Sequence, residues 1–262
     1  MATDFAPRSV GIRAPKQAML VAQRIMRDVV REGRQPGDLL DPERTMLDRY
    51  GAGRGTLREA LRLLEFQGVI HLKPGPGGGP VLQDPDASHL ANTLLLLLQL
   101  KQAPFRTVVE ARLALEPIIS RLAATRMSAE TLDELAKTIE VMWAHIDDKE
   151  RFLEANKRFH DLIAWSSGNP LFGYIVDSMI DILDGTIIGI EYPTPGRQAI
   201  AQAHDDIFKS LSSQDPELAE AKMREHIEAY VAYANRKFPE QLDQPIRWDR
   251  LISPHDESSH SF

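Results

Sequence analysis

From residue 53 to 68 apolar positions recur at the 3.6-residue spacing of an amphipathic helix: Leu57, Ala60, Leu61, Leu64 and Phe66 share one face. The opposite face opens with Arg54 and Arg58, four apart and so stacked on successive turns. Gly68 follows as a C-terminal stop. A helix start normally favours acids, because the macrodipole is positive there. A cationic start suits a helix that faces a polyanion, although a solvated face with two arginines has the same pattern. Just upstream, Asp41 as N-cap and Pro42 at the first helical position open a shorter helix whose apolar residues, Met46, Leu47 and Tyr50, end at Gly51. Only Gly51, Ala52 and Gly53 separate the two, the short turn of a helix-turn-helix. Downstream, Val69 to Leu72 and Val81 to Gln83 are brief apolar runs around a Gly- and Pro-rich stretch, 73–80, which predicts a hairpin and hence a winged helix-turn-helix.

Ahead of this motif, 16–32 predicts a helix with Met19, Leu20, Ile25, Met26, Val29 and Val30 inward, and 33–40, containing Pro36 and Gly37, a turn. Residues 1–15 show no periodicity and are expected to be a flexible arm. The winged domain spans 16–83 and a polar linker 84–88. From 89 to 239 nearly every segment is helix-periodic, with helices expected at 89–102, 104–126, 128–146, 149–167, 170–189, 197–213 and 216–238. Ser128, Asn169 with Pro170, and Asp215 with Pro216 mark starts; Tyr192 to Gly196 reads as a loop; Pro239 ends the last helix, leaving 240–262 as a loose tail. The fold class is mainly α: a winged helix-turn-helix with a small β-hairpin, then an all-helical bundle.

Charge resolves one conflict. A net charge of −7 is wrong for a DNA binder as a whole, but residues 1–83 hold 13 Lys+Arg against 9 Asp+Glu, so +4, and the remainder 18 against 29, so −11. Only the N-terminal part has the sign for phosphate. The absence of cysteine rules out disulfides and thiolate metal sites. No signal-peptide pattern and no apolar run near 18 residues are present, so a cytoplasmic protein with no membrane partner is expected. The leucines at 94–98 fit a buried helix.

Candidate chemistry in the second domain rests on histidine. Asn156 and His160 are four apart on one helix face, and His204 and His226 sit on two other predicted helices. Three imidazoles and an amide oxygen from three helices can converge in a bundle core and hold a divalent ion; nitrogen and oxygen donors without thiolate suit Zn, Ni or Mn. Isolated histidines that are merely hydrogen-bonded explain the same spacing. Arg112, four before Glu116, fits an intrahelical salt bridge.

The stretch from 18 to 83, with Arg44, then Arg54 to Leu61, then Gly68, Val69 and Ile70 and a Gly-rich wing, resembles the DNA-binding domain of the GntR family of bacterial transcription regulators. The resemblance implies DNA contacts from Arg44, Arg54, Thr56 and Arg58, with the wing tip around Gly75. Gly53 departs from the family's usual Ser or Thr, removing an N-cap side chain, and the wing is richer in Gly. Residues 105–230 resemble the FCD ligand-binding domain of the FadR-like branch, through Glu110, Arg112, Leu115 to Pro117, Phe159 and His160, Ser167 to Pro170, His204, Met223 and His226. That resemblance places the family's metal ligands on Asn156, His160, His204 and His226, the first usually Asp, and its effector-binding arginine on Arg112. It further implies a homodimer on a short near-palindromic operator, a small carboxylate effector, and a repressor released by it. Two other readings stay open: an acyl-chain sensor lined by the leucines at 94–100, and a metal-dependent hydrolase, which lacks an acid spaced as a general base.

Overall fold

The computed structural model describes residues 17–183 and 192–247, and they form two compact units, Met1–His89 and Leu90–Phe262. The expected arm at 1–15 lies outside the described residues.

The first unit runs α1 (Gln17–Glu32), α2 (Glu43–Tyr50), α3 (Arg54–Phe66), β1 (Ile70–Lys73) and β2 (Gly79–Leu82). Its core joins Ile25 of α1, Met46 and Tyr50 of α2, Leu57, Leu61 and Leu64 of α3, and Ile70 and Leu82 of the hairpin. The helix-turn-helix bend works because Gly51 takes a left-handed conformation (φ 58°) that costs other residues energy. The strands pair antiparallel from Ile70 with Leu82 to Lys73 with Gly79. At the wing, a Cβ on Gly78 would lie 2.2 Å from the Lys73 carbonyl oxygen, so only glycine closes this loop.

Three expectations change here. The buried face of α1 is Ala18, Val21, Ala22, Ile25 and Val29, whereas Met19, Leu20 and Val30 are exposed; two alanines let the helices approach, so the bulkier residues mark the wrong stripe. Phe66, at the end of α3, is 77% exposed. Asp41 does not cap α2: Pro42 holds the N-cap position without a side-chain bond, and Asp41 instead accepts a hydrogen bond from Arg49 at 2.9 Å. The 33–40 turn also does more than turn, since Leu40 donates to the Pro80 carbonyl and Leu82 to that of Asp38, extending the pairing of β2.

The remaining elements are α4 (Ser88–Leu100), α5 (Arg106–Ala124), α6 (Ala129–Ala144), α7 (Lys149–Ser166), α8 (Pro170–Leu183), α9 (Thr194–Ser212), α10 (Pro216–Lys237) and the short α11 (Pro239–Asp243). Caps set the starts of three of them: Ser128, Asp148 and Asp215 accept from the backbone N–H of Thr131, Arg151 and Leu218. Phe105, Leu135, Met142, Phe152, Phe159, Ile163, Ile207 and Met223 fill the core of this unit. The expected loop at 192–196 is shorter, because Pro195 lies in the first turn of α9, where its missing N–H costs nothing. The end of the helix expected at 170–189 lies outside the described residues beyond Leu183. Pro239 begins α11 as well as ending α10, and the tail is packed as far as Ile246: Leu242 and Ile246 are buried, and Ile246 donates to the Ala103 carbonyl. Among the described residues, no helix is long and apolar enough to cross a membrane.

Candidate DNA-reading helix and metal centre

The surface of α3 separates structural from unspent arginines. Arg49, on α2, is held by Asp28 at 3.0 Å, Asp41 at 2.9 Å and Glu32, and these partners tie α2 to α1. Its guanidinium pKa is raised, first by Glu32 and then by Asp41. Arg44 and Arg54 are exposed and have no acidic partner among the described residues; Arg58 has only Glu43, 3.6 Å from its Nε, with both side chains largely solvated. Thr56 is half-buried and Gly75 lies exposed in the wing. Gly53 sits at the N-cap of α3 without a capping side chain, and the first turn holds no acid. The positive end of that helix is therefore left uncompensated, as a phosphate contact requires.

The second site is built from four helices. Arg112 and Glu116 lie one turn apart on α5, His160 on α7, His204 on α9 and His226 on α10, and all five are buried. The three imidazoles offer nitrogens that all lie within 4.8 Å of one another. Nε2 of His204 is 3.3 Å from Nε2 of His226. Two ligands on a tetrahedral ion with bonds of about 2.0–2.1 Å are separated by about 3.3–3.4 Å, so this pair already has the spacing of a shared cation. His160 Nδ1 lies 2.7 Å from Glu116 Oε2, while Arg112 pairs with the same carboxylate through Nε and, at 3.2 Å, through Nη2. The His204 ring stacks on Phe159 at 3.9 Å, and its Nδ1 is buried with no hydrogen-bond partner. What fits a shared cation is the facing of the three imidazoles and the His204–His226 Nε2 pair; the orphaned Nδ1 is the other ring nitrogen of His204.

Electrostatics keep the imidazoles neutral, the form that ligates. Burial lowers all three pKa values; for His226 it is reinforced by His160 and Arg112 and reaches about 3. Burial alone would raise the Glu116 carboxyl, but Arg112 and His160 overcome it and hold it ionised.

Of the residues singled out in the sequence, the structure brings together His160, His204, His226 and Arg112. Asn156 is half-buried one turn before His160 and hydrogen-bonds to none of the imidazoles. The leucines at 94–100 divide: Leu95 is in the core with Leu94 and Leu98 against it, and Leu96, Leu97 and Leu100 are exposed. Glu116 escaped the sequence reading in its second role, as the carboxylate on His160. Its spacing from Arg112 was visible, but its nearness to a residue 44 positions later was not. Tyr230, one turn after His226 on α10, was also missed, although that i, i+4 spacing was there to see.

A winged helix-turn-helix with unspent arginines, followed by a helical unit around a buried polar cluster, defines a two-domain transcription regulator. Residues 18–78 match the gntR family of bacterial regulatory proteins, and residues 107–229 match the FCD domain. The uncharacterized HTH-type transcriptional regulator YcbG of Bacillus subtilis (strain 168) is 32% identical over 191 residues, covering 73% of this chain and 78% of that protein. The HTH-type transcriptional regulator LutR of the same organism is 24% identical over 198 residues, 74% of this chain and 90% of its own. The HTH-type transcriptional repressor NanR of Escherichia coli (strain K12 / DH10B) is 24% identical over 239 residues, 86% and 87%. Among solved structures, Streptococcus agalactiae GntR shares the fold with a TM-score of 0.62 at 23% identity, covering 81% of this chain and 98% of that one. The chain belongs to the GntR family of bacterial transcriptional regulators and carries an FCD domain C-terminal to its winged helix-turn-helix.

Proposed function

We propose that this regulator is a cytoplasmic homodimeric repressor that senses a small organic acid at a divalent metal held by His160, His204 and His226. The observation that carries the reading is the convergence of three buried, neutral imidazoles beside the Arg112–Glu116 pair. When bound, the ion would supply open positions to an acid's oxygen atoms. Glu116 orients His160 through Nδ1 and leaves its Nε2 for the ion. Asn156 is the weaker fourth ligand, a neutral oxygen donor one turn before His160 on the same helix. Arg112 supplies the cation that selects a carboxylate. Zn, Ni and Mn all suit the donors.

On the DNA side, Arg54 and Arg58 enter the major groove of a short near-palindromic operator, with Arg44, Thr56 and the wing at Gly75 holding the backbone. That the NanR relatives are named transcriptional repressors supports the sign of regulation. An enzyme reading gains nothing from the site, because the one carboxylate beside the imidazoles, Glu116, is tied to Arg112 and His160. An acyl pocket is not favoured, since the leucine run is split between core and surface. The test combines elemental analysis of the purified chain, thermal shift with a carboxylate panel, and operator binding with and without each acid that shifts it. One dication per chain and an acid that weakens operator binding are expected; a chain that binds no dication contradicts the reading.

A further inference from the structure

Arg112 is only partly used. Its Nε and Nη2 go to Glu116, with Nη2 also 3.4 Å from both ring nitrogens of His160, but Nη1 donates to nothing among the described residues. A second unspent donor stands close by. Tyr230 follows His226 by four residues, so it lies on the same face of α10, one turn along. The hydroxyls of Tyr230 and Tyr192 are hydrogen-bonded to each other, and their rings lie 6.2 Å apart. Two hydroxyls carry two protons, and one bond between them uses one. The other has no acceptor among the described residues. Burial raises the pKa of both hydroxyls and the Arg112 guanidinium works against it, so both remain protonated donors. This side of the site therefore offers two donors, Arg112 Nη1 and one tyrosine hydroxyl proton, with no matching acceptor among the described residues.

Charge leads to the same conclusion. Glu116 already neutralises Arg112, and Asn156 is an amide rather than an acid. A dication in this setting leaves two positive charges uncompensated in a buried site, and one carboxylate removes only half of that.

We infer that Tyr230, backed by Tyr192, forms with Arg112 Nη1 a second anion-reading subsite, and that the effector is a small dicarboxylate with one head there and the other at the imidazoles. This inference rests on the effector site proposed above. Tyr192 strengthens the Tyr230 donor by fixing its orientation.

The experiment is calorimetric titration of malonate and of acetate into the zinc-loaded full chain, for wild type, Tyr230→Phe and Tyr192→Phe. Wild type is expected to bind malonate more tightly than acetate. Tyr230→Phe, which keeps the ring, should weaken malonate about ten- to a hundredfold, the value of a hydrogen bond to a charged group, with zinc stoichiometry unchanged. Tyr192→Phe should weaken it less, because the Tyr230 hydroxyl remains. Malonate binding equally well to Tyr230→Phe and wild type, or acetate matching malonate, overturns the dicarboxylate subsite while leaving the effector site standing. Wild type that binds neither acid overturns both.

Discussion

Glu116 Oε2 lies 2.7 Å from Nδ1 of His160, and the same carboxylate holds Arg112. One buried acid thus sets the tautomer of a histidine proposed to ligate the metal and neutralises the arginine proposed to select the effector. The two halves of the site are not independent, and that dependence generates the first prediction.

Glu116→Gln should weaken metal binding about ten- to a hundredfold, as losing a carboxylate behind a ligating histidine does. It should also destabilise the fold by about 3–5 kcal/mol, because Arg112 remains as a buried charge without its partner. Competitive zinc titration and urea unfolding check the two effects separately. Unchanged zinc affinity would show that His160 does not depend on Glu116.

The histidine cluster predicts acid sensitivity. Buried imidazoles with lowered pKa values take up protons more readily in the unfolded chain. Their contribution to stability is complete above the unfolded histidine value of about 6.5. It is lost progressively as pH falls from there towards about 3, the value for His226. Metal should leave over the upper part of the same window, since protonation removes the ligating lone pair. Thermal unfolding from pH 8 to 5 should show the midpoint of the metal-loaded chain fall below pH 6.5; a flat profile would contradict buried neutral imidazoles.

Asn156→Asp should tighten divalent metal binding, because it adds a charged oxygen one turn before His160. The same substitution should weaken a dicarboxylate relative to a monocarboxylate, since the added negative charge offsets one of the positive charges that the second head matches. Zinc titration and calorimetry read the two directions; a substitution that leaves metal affinity unchanged would place Asn156 outside the site.

Arg58→Ala is expected to cost about 1–3 kcal/mol on the specific operator, as the loss of a base contact does, and Arg54→Ala to weaken binding with it. Arg49→Ala should instead lower the melting temperature of the winged unit and leave sequence preference unchanged, because Arg49 is spent on Asp28, Glu32 and Asp41. Fluorescence anisotropy at fixed salt, with operator and scrambled duplexes, separates these outcomes. If Arg54→Ala and Arg58→Ala both bind like wild type, α3 is not the reading helix.

The parts of this architecture that local chemistry decides were legible in the sequence. The Gly51 turn, the stop at Gly68 and the Asp215–Pro216 start each follow from one residue's backbone preference. Long-range packing was hidden. Nothing local says that Ala18 and Ala22, rather than Met19 and Leu20, face α3, or that Ile246 closes over Ala103. In the site, the three histidines stood out because imidazoles are few. Glu116 and Tyr230 did not, because acids and tyrosines have many ordinary roles and only the fold brings these two to His160 and Arg112.

Equilibrium zinc binding to the full chain, wild type against His204→Ala, decides whether the three imidazoles hold a metal. His204 contributes nothing to the Arg112–Glu116 pair, so its loss removes a ligand and leaves that pair in place. One dication per wild-type chain and none in His204→Ala is the predicted result. Wild type that takes up no zinc, nickel or manganese, or His204→Ala that retains a full equivalent, would rule out a metal held by these three histidines.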